Sequence, residues 1–123
     1  MSKYYIGIMC GTSLDSIDIS IVSITPKRIK VKGFDEYKLD SKFKTEINLV
    51  KQSNNSGINL KKINRNLTNL IIKQVNHSLD KHKLTSEDIS AIGFPGITLI
   101  HRPDLKISDY IGDPSLLSQK LKI

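Results

Sequence analysis

The segment from Gly11 to Asp18 holds the residue types best suited to chemistry. It reads Gly-Thr-Ser-Leu-Asp-Ser-Ile-Asp, one glycine followed by hydroxyls and two carboxylates. Gly11 would let the backbone approach an anion closely, and the Thr12 and Ser13 hydroxyls could donate to phosphate oxygens. Asp15 and Asp18 could hold hydrated Mg²⁺, which takes one or two carboxylates and keeps water or nucleotide oxygens as its other ligands. Ordinary turns prefer the same residue types, so these residues alone favour a turn.

Short strands must position this segment. An apolar, β-prone run covers residues 4–10, and isoleucines at alternate positions mark a second strand over 17–24. A third strand is expected over 28–39, with a bulge at Gly33. The chain therefore opens as an antiparallel β-meander whose first turn is the candidate phosphate loop.

The rest of the chain alternates helices and strands. Apolar residues spaced by three and four predict a short helix over 41–51 and, after a polar loop at 52–57, a long amphipathic helix. The apolar stripe of the long helix is Leu60, Ile63, Leu67, Leu70, Ile71, Val75 and Leu79. Strands over 89–94 and 105–111 and a helix over 115–121 complete the pattern. This order predicts an α/β fold with helices packed on a mixed sheet.

The charge distribution argues against a nucleic-acid partner. The formal net charge is +7, but only three of the 19 basic residues are arginines and the lysines are scattered. Lysines and an arginine over 27–32 alternate with Ile29 and Val31, a pattern typical of a strand with one wet face. His77 and His82, on or just beyond the long helix, are expected to face solvent.

The same composition favours a cytoplasmic protein without a membrane partner. Cys10 is the single cysteine, so neither an intramolecular disulfide nor a cysteine-rich zinc site can form. The N-terminus lacks the features of a signal peptide, and no apolar run reaches the length of a membrane-spanning helix.

Three ordered motifs carry a resemblance to a known family. Residues 5–18 are similar to the N-terminal signature of anhydro-N-acetylmuramic acid kinases, whose G-T-S-x-D-G-x-D hairpin contacts nucleotide phosphates. Residues 96–103 read Gly-Ile-Thr-Leu-Ile-His-Arg-Pro and resemble the family's G-Q-T-x-x-H-R-P. Residues 111–117 read Ile-Gly-Asp-Pro-Ser-Leu-Leu and resemble its I-G-D-P-[AS]-L-I.

The resemblance implies an actin-like, sugar-kinase-like fold in which two domains close on ATP, Mg²⁺ and an amino sugar. Family members use ATP and water to convert 1,6-anhydro-N-acetylmuramic acid to N-acetylmuramic acid 6-phosphate in peptidoglycan recycling. The phosphate side would comprise Gly11, Thr12, Ser13 and Asp15, and the metal carboxylates would be Asp15 and Asp18. The sugar side would comprise Thr98, His101, Arg102, Gly112 and Asp113. Arg102 could pair with the lactyl carboxylate, whereas His101 is expected to be structural.

Several positions depart from the family pattern. Cys10 replaces a serine and Ser16 replaces a glycine in the first motif, while residues 94–97 read Phe-Pro-Gly-Ile where the family shows S-H-G-Q. The last change removes polar side chains beside the expected sugar pocket.

The family's expected catalytic base, the Asp of a D-F-R motif, would lie beyond Ile123. Residues 1–123 are therefore expected to form part of an N-terminal nucleotide-phosphate-binding domain, with no catalytic residue and no second domain, and to be inactive alone. The alternative is a non-catalytic domain that binds a nucleotide or a partner chain. The partner would be a missing C-terminal half or a second copy of this chain.

Overall fold

The computed structural model opens with the antiparallel β-meander that the sequence predicts. Its strands are β1 (Tyr4–Met9), β2 (Ser16–Ile24) and β3 (Ile29–Lys38). Alternating isoleucines set the register, because Ile6 pairs with Ile21 and Ile8 with Ile19, which places all four on one face. The structure describes residues 4–11, 15–53, 57–102 and 107–123, and it describes side chains outside 50–60 and 98–110.

The predicted bulge in β3 is confirmed next to Gly33. Ile21 pairs with Gly33, but its neighbour Val22 pairs with Val31, so Lys32 is the extra residue. An inserted residue locally increases the strand twist. The bulge therefore bends the outer strand of the meander beside the end of the long helix.

A fourth strand pairs with the meander, and two further strands form a separate hairpin. These strands are β4 (Ile89–Gly93), β5 (Ile97–Arg102) and β6 (Ile107–Ile111). β4 pairs parallel to β1, which gives the order β3-β2-β1-β4, while β5 and β6 pair antiparallel in a second sheet. The α/β fold with a mixed sheet is confirmed. β5 is an addition to the predicted elements.

Three helices pack with these sheets, namely α1 (Ser41–Ser53), α2 (Gly57–Lys81) and α3 (Pro114–Leu121). Asp40 immediately precedes α1, and its carboxylate accepts a hydrogen bond from the backbone N–H of Phe43 at 2.9 Å. α2 is followed by Lys83 in the left-handed conformation, with φ of 59°, and the N–H of Leu84 donates to the carbonyl of Leu79 at 2.8 Å. No helix among the described residues is long and apolar enough to cross a membrane.

The core lies between the isoleucine face of the meander and the apolar stripe of α2. The buried residues of the two faces are Ile6, Ile8, Ile17, Ile19 and Ile21 from the sheet and Ile63, Leu67, Ile71, Val75 and Leu79 from the helix. Burying one such side chain contributes about 1.5–3 kcal/mol relative to leaving it in water. The stripe predicted for α2 is thus confirmed at these five positions.

The sequence predicted that only one face of the strand at the start of β3 would be exposed to solvent, and this prediction is wrong. Ile29 and Val31 are 69% and 63% exposed, so both faces of the strand are open to solvent there. β3 is an outer strand of the sheet, and α2 covers only its later part near Gly33 and Asp35.

Candidate functional site

The candidate phosphate loop connects β1 to β2 at the end of their ladder. Met9 and Asp18 form the last pair of that ladder, Cys10 is buried just beyond it, and Gly11 is exposed. The predicted phosphate ligands Thr12 and Ser13 lie outside the described residues. The isoleucine-rich core therefore fixes both ends of the loop, and Gly11 emerges at the surface.

Asp15 stands at the exposed side of this loop and is held by α1. Its Oδ1 lies 2.6 Å from Nζ of Lys44, and its side chain is 68% exposed. Its backbone carbonyl accepts the N–H of Leu39 at 3.0 Å, which ties the loop to the end of β3. Leu39 is itself buried in the core. The carboxylate is thus positioned from both sides while remaining accessible to water.

Asp18, the second predicted metal ligand, lies on the sheet face opposite the core. It is half-buried, accepts a hydrogen bond from Oγ of Ser16 at 3.0 Å, and pairs with Glu36 across the β2–β3 ladder. Like charges placed directly opposite in a sheet repel each other. A cation near these carboxylates would relieve that repulsion.

Asp15 and Asp18 could hold Mg²⁺ only if water and phosphate oxygens supplied its other ligands. No group of three or more His, Cys, Asp or Glu side chains that could hold a metal occurs among the described residues. Mg²⁺ needs no such cage, because one or two carboxylates suffice when water and phosphate oxygens complete its shell. The Lys44 ammonium now provides positive charge at Asp15 and would have to share that carboxylate with the ion.

A cleft of about 440 Å³ adjoins the loop, and both basic and acidic side chains line it. It is lined by Asp15, Ser16, Glu36, Lys38, Leu39, Ser41 and Lys44. Two ammonium groups and two hydroxyls in one cleft can donate to phosphate oxygens, while its carboxylates suit a cation bound with the phosphate. Lys38 and Lys44 were not singled out by the sequence, in which they are two lysines among many.

Three residues predicted for the sugar side belong to β5. In the β5–β6 register, Thr98 pairs with Tyr110, His101 with Ser108 and Arg102 with Ile107, and the ladder is irregular between Thr98 and Ile100. The side chains of Thr98, His101 and Arg102 lie outside the described part of the structure. Their predicted contacts with a sugar and its lactyl group remain predictions.

Gly112 and Asp113 form a loop that α2 holds by two side chains. Asn64 accepts the N–H of Gly112 through Oδ1, and Thr68 accepts the N–H of Asp113 through Oγ1 at 3.1 Å. Thr68 is fully buried and donates its own proton to the carbonyl of Asn64 at 2.8 Å. The loop is therefore fixed to one helix face. The only sequence signal for this role is a pair of polar residues four apart beside the apolar stripe.

Asp113 also has a structural role as the N-cap of α3. Its Oδ1 accepts the backbone N–H of Leu116 at 3.0 Å, and Pro114 occupies the first helical turn. Gly112 adopts φ of 120°, a conformation that favours glycine. A β-carbon there would also lie 2.6 Å from ring atoms of Phe94. Phe94, one of the departures from the family pattern, thus packs against the Gly112 turn.

Comparison with known proteins agrees with the three motifs. A sequence model of the family described as anhydro-N-acetylmuramic acid kinase matches residues 3–123. The chain is 33% identical over 126 residues to the anhydro-N-acetylmuramic acid kinase of Mannheimia succiniciproducens, covering 100% of this chain and 34% of that protein. It is 31% identical to the protein of the same name from Hydrogenovibrio crunogenus, covering 99% and 34%, and 31% identical to that from Aliivibrio fischeri, covering 97% and 33%. The chain spans about a third of the length of these relatives. It belongs to the anhydro-N-acetylmuramic acid kinase family.

Proposed function

We propose that this chain supplies the nucleotide-phosphate side of an ATP-dependent sugar kinase acting in the cytoplasm on 1,6-anhydro-N-acetylmuramic acid. The complete reaction would use water to open the anhydro bond and ATP to phosphorylate the O6 that is released, as in peptidoglycan recycling. The observation that carries the proposal is the connection between β1 and β2: the paired strands fix its two ends, Gly11 and Asp15 are exposed there, and Asp15 lies beside Lys44.

The chain's own residues would bind and orient the phosphate chain of ATP. Gly11 would let the backbone approach a phosphate closely, and Thr12 and Ser13 would offer hydroxyl donors. Lys44 supplies positive charge from α1, while Asp15 and Asp18 would hold Mg²⁺. When bound, Mg²⁺ neutralises charge on the phosphate oxygens. Positioning and charge stabilisation are what phosphoryl transfer requires most.

The sugar would lie toward the Gly112–Asp113 loop and β5. Thr98, His101 and Arg102 are the proposed contacts from β5, and a guanidinium such as that of Arg102 binds carboxylates in a bidentate manner. The rigid attachment of Gly112 and Asp113 to α2 supports a positioning role for this loop.

Nucleotide binding tests the phosphate side without requiring turnover. We expect the chain to bind ATP in the presence of Mg²⁺ and Asp15→Asn to weaken that binding at least tenfold, measured by isothermal titration calorimetry. The weakening should shrink in EDTA, because the lost interaction is with the metal. Asp80→Asn on the exposed side of α2 is the matched control. Equal affinities for the wild type and Asp15→Asn would contradict the proposal.

Turnover is expected only when the rest of the kinase is supplied. The expected general base belongs to a motif beyond residue 123, so the chain alone should not consume ATP with the anhydro sugar. Addition of the polypeptide that makes up the remaining two thirds of the Mannheimia succiniciproducens relative should restore phosphorylated product. Turnover by the purified chain by itself would overturn this part of the proposal.

A second candidate function is a non-catalytic domain that binds a nucleotide, a partner chain or a second copy of itself. It is favoured by the exposed apolar residues Ile29, Val31 and Phe34 on the outer part of the sheet. ATP binding without restored turnover in the mixing experiment would support this candidate over a kinase that is completed by a second chain.

A further inference from the structure

A second cleft, of about 500 Å³, lies between the N-terminal part of α2 and the start of α3. Its walls are Lys61, Lys62, Asn64, Arg65, Asp113 and Leu116. The volume is in the range of pockets that hold small molecules. This cleft is separate from the one beside Asp15 and shares no lining residue with it.

The cleft carries an excess of positive charge. Lys61, Lys62 and Arg65 are all exposed, and none of them takes part in an ion pair within the described part of the chain. Among the described residues that line the cleft, Asp113 is the single acidic one, and its Oδ1 already accepts the N–H of Leu116. Three cations against one carboxylate leave a net charge of about +2 that faces one cavity.

One wall of the cleft is built rigidly. Asn64 uses its Oδ1 to accept the Gly112 N–H, and the buried Thr68 accepts the Asp113 N–H one turn later. These bonds fix the start of α3 against α2. The basic side chains at 61 and 65 lie four residues apart on the same helix face, so they reach the same side of the fixed wall.

We propose that this cleft binds a phosphate monoester through Arg65, Lys61 and Lys62. A phosphate monoester carries a charge of about −1.5 to −2 at pH 7 and offers three acceptor oxygens, which matches the uncompensated charge of the walls. Arg65 can bind two of those oxygens in a bidentate manner, and the lysines act as point charges. A single carboxylate would leave one positive charge unmatched. The cleft adjoins the proposed sugar side, because Asp113 belongs to both, but phosphate binding here does not require the kinase reaction.

The test is a titration of the whole chain followed by ¹H–¹⁵N NMR at low ionic strength. The probes are inorganic phosphate, glucose 6-phosphate and AMP, with D-lactate as the carboxylate comparison. We expect the phosphate probes to shift the amide signals of residues 61–65 and 112–116. The double variant Lys61→Gln/Arg65→Gln should weaken the tightest probe at least tenfold. Tighter binding of glucose 6-phosphate than AMP would identify a sugar phosphate as the source, and the reverse order a nucleotide.

A charge-matched control separates a site from general electrostatic attraction. Lys73→Gln/Lys120→Gln also removes two positive charges, but from exposed positions of α2 and α3 outside the cleft. This variant should bind the probe with an affinity within twofold of the wild type. Equal weakening by both double variants, no binding of any phosphate probe, or equally tight binding of D-lactate would overturn the proposal. Asp15→Asn should leave these shifts unchanged, so failure of the ATP site and failure of this site are distinguishable.

Discussion

Among single residues, Asp35 is the charged group most deeply placed in the described structure. Its side chain is only 4% exposed, because Asp35 lies on β3 beneath the end of α2. Nζ of Lys81 is 2.6 Å from its Oδ1, and Nε2 of His82 is 3.0 Å from its Oδ2. Burial raises the pKa of Asp35, but hydrogen bonds from Lys81, Ser78 and His82 outweigh it, so this pKa lies below the ordinary value. The carboxylate therefore stays charged and ties the helix end to the outer strand.

Removal of this charge should destabilise the fold. We expect Asp35→Asn to lower the free energy of unfolding by about 1–3 kcal/mol, because Lys81 and His82 lose charge-assisted hydrogen bonds at a buried site. Urea unfolding followed by circular dichroism at pH 7 measures the loss. Glu36→Gln, on the exposed face of the same strand, is the matched control and should cost little. An Asp35→Asn variant as stable as the control would show that the cluster contributes nothing net.

The Asp35 contribution should depend on pH with a defined sign. A carboxyl whose folded-state pKa is depressed stabilises the fold above its unfolded pKa, near 3.9, and loses that contribution as pH falls through the folded pKa. The stability difference between wild type and Asp35→Asn should therefore be full at pH 6 and shrink toward pH 3. Urea midpoints measured at half-unit intervals test this. A difference that grows in acid would contradict it.

The Asp35 cluster also shows what residue types alone could not reveal. Sequence reasoning expected His82 to face solvent, but its side chain is 18% exposed and bonded to Asp35, so that prediction is wrong. His77 is exposed as predicted, although its Nδ1 lies 2.8 Å from the Tyr37 hydroxyl. The partners of both histidines lie on β3, 40 or more positions earlier, and a local pattern carries no such pairing.

At the scale of elements, β3 and α2 meet where a glycine makes room. A β-carbon at Gly33 would lie 2.8 Å or less from ring atoms of His82, whereas one at Gly93 would meet nothing nearer than the carbonyl of Ile6 at 4.0 Å. A side chain at position 33 would therefore require the His82 ring to move.

This contact predicts that an alanine substitution destabilises the fold at Gly33 but not at Gly93. Gly33→Ala should displace the His82 ring, break its bond to Asp35 and lower stability by about 1–3 kcal/mol, a typical cost of overpacking. Gly93→Ala should be close to neutral. Thermal unfolding of both variants compares them directly. A Gly33→Ala variant that unfolds at the wild-type temperature would show that His82 moves aside without cost.

Elements with strong periodicity were predictable from sequence, and those that depend on distant partners were not. The meander and the long α2 follow from alternation and helical spacing within one segment, and the bulge follows from a glycine inside a strand. β5 follows Pro95 and Gly96 and exists through its pairing with β6, so it was not predicted. The Asn64 and Thr68 bonds to the Gly112 loop were missed because they join positions about 45 apart.

For the whole molecule, the sheet face opposite α2 remains open. Val22 pairs with Val31 and Ser20 with Phe34 on this face, and Val31 and Phe34 are 63% and 59% exposed. A compact monomer of this mass is expected to expose about 6,600 Å², whereas the chain exposes 8186 Å².

This face should drive self-association of the isolated chain. We expect sedimentation velocity to show association as concentration rises, because uncovered apolar patches seldom stay solvated. Val31→Lys/Phe34→Lys should remain monomeric over the same range. Leu49→Lys removes an equally exposed apolar side chain from α1 and should not change the association. Identical profiles for all three proteins would exclude this face as the contact.

The strand order has a further consequence for the two margins of the sheet. β3 forms one margin and carries Lys30, Lys32 and Lys38, charges that discourage another strand from pairing there. β4 forms the other margin, and its sequence Ile-Ser-Ala-Ile-Gly contains no charge. Among the described strands, only β1 pairs with β4, so its second row of N–H and C=O groups is a template for pairing. We therefore expect an additional strand to extend this sheet by pairing with β4 and not with β3.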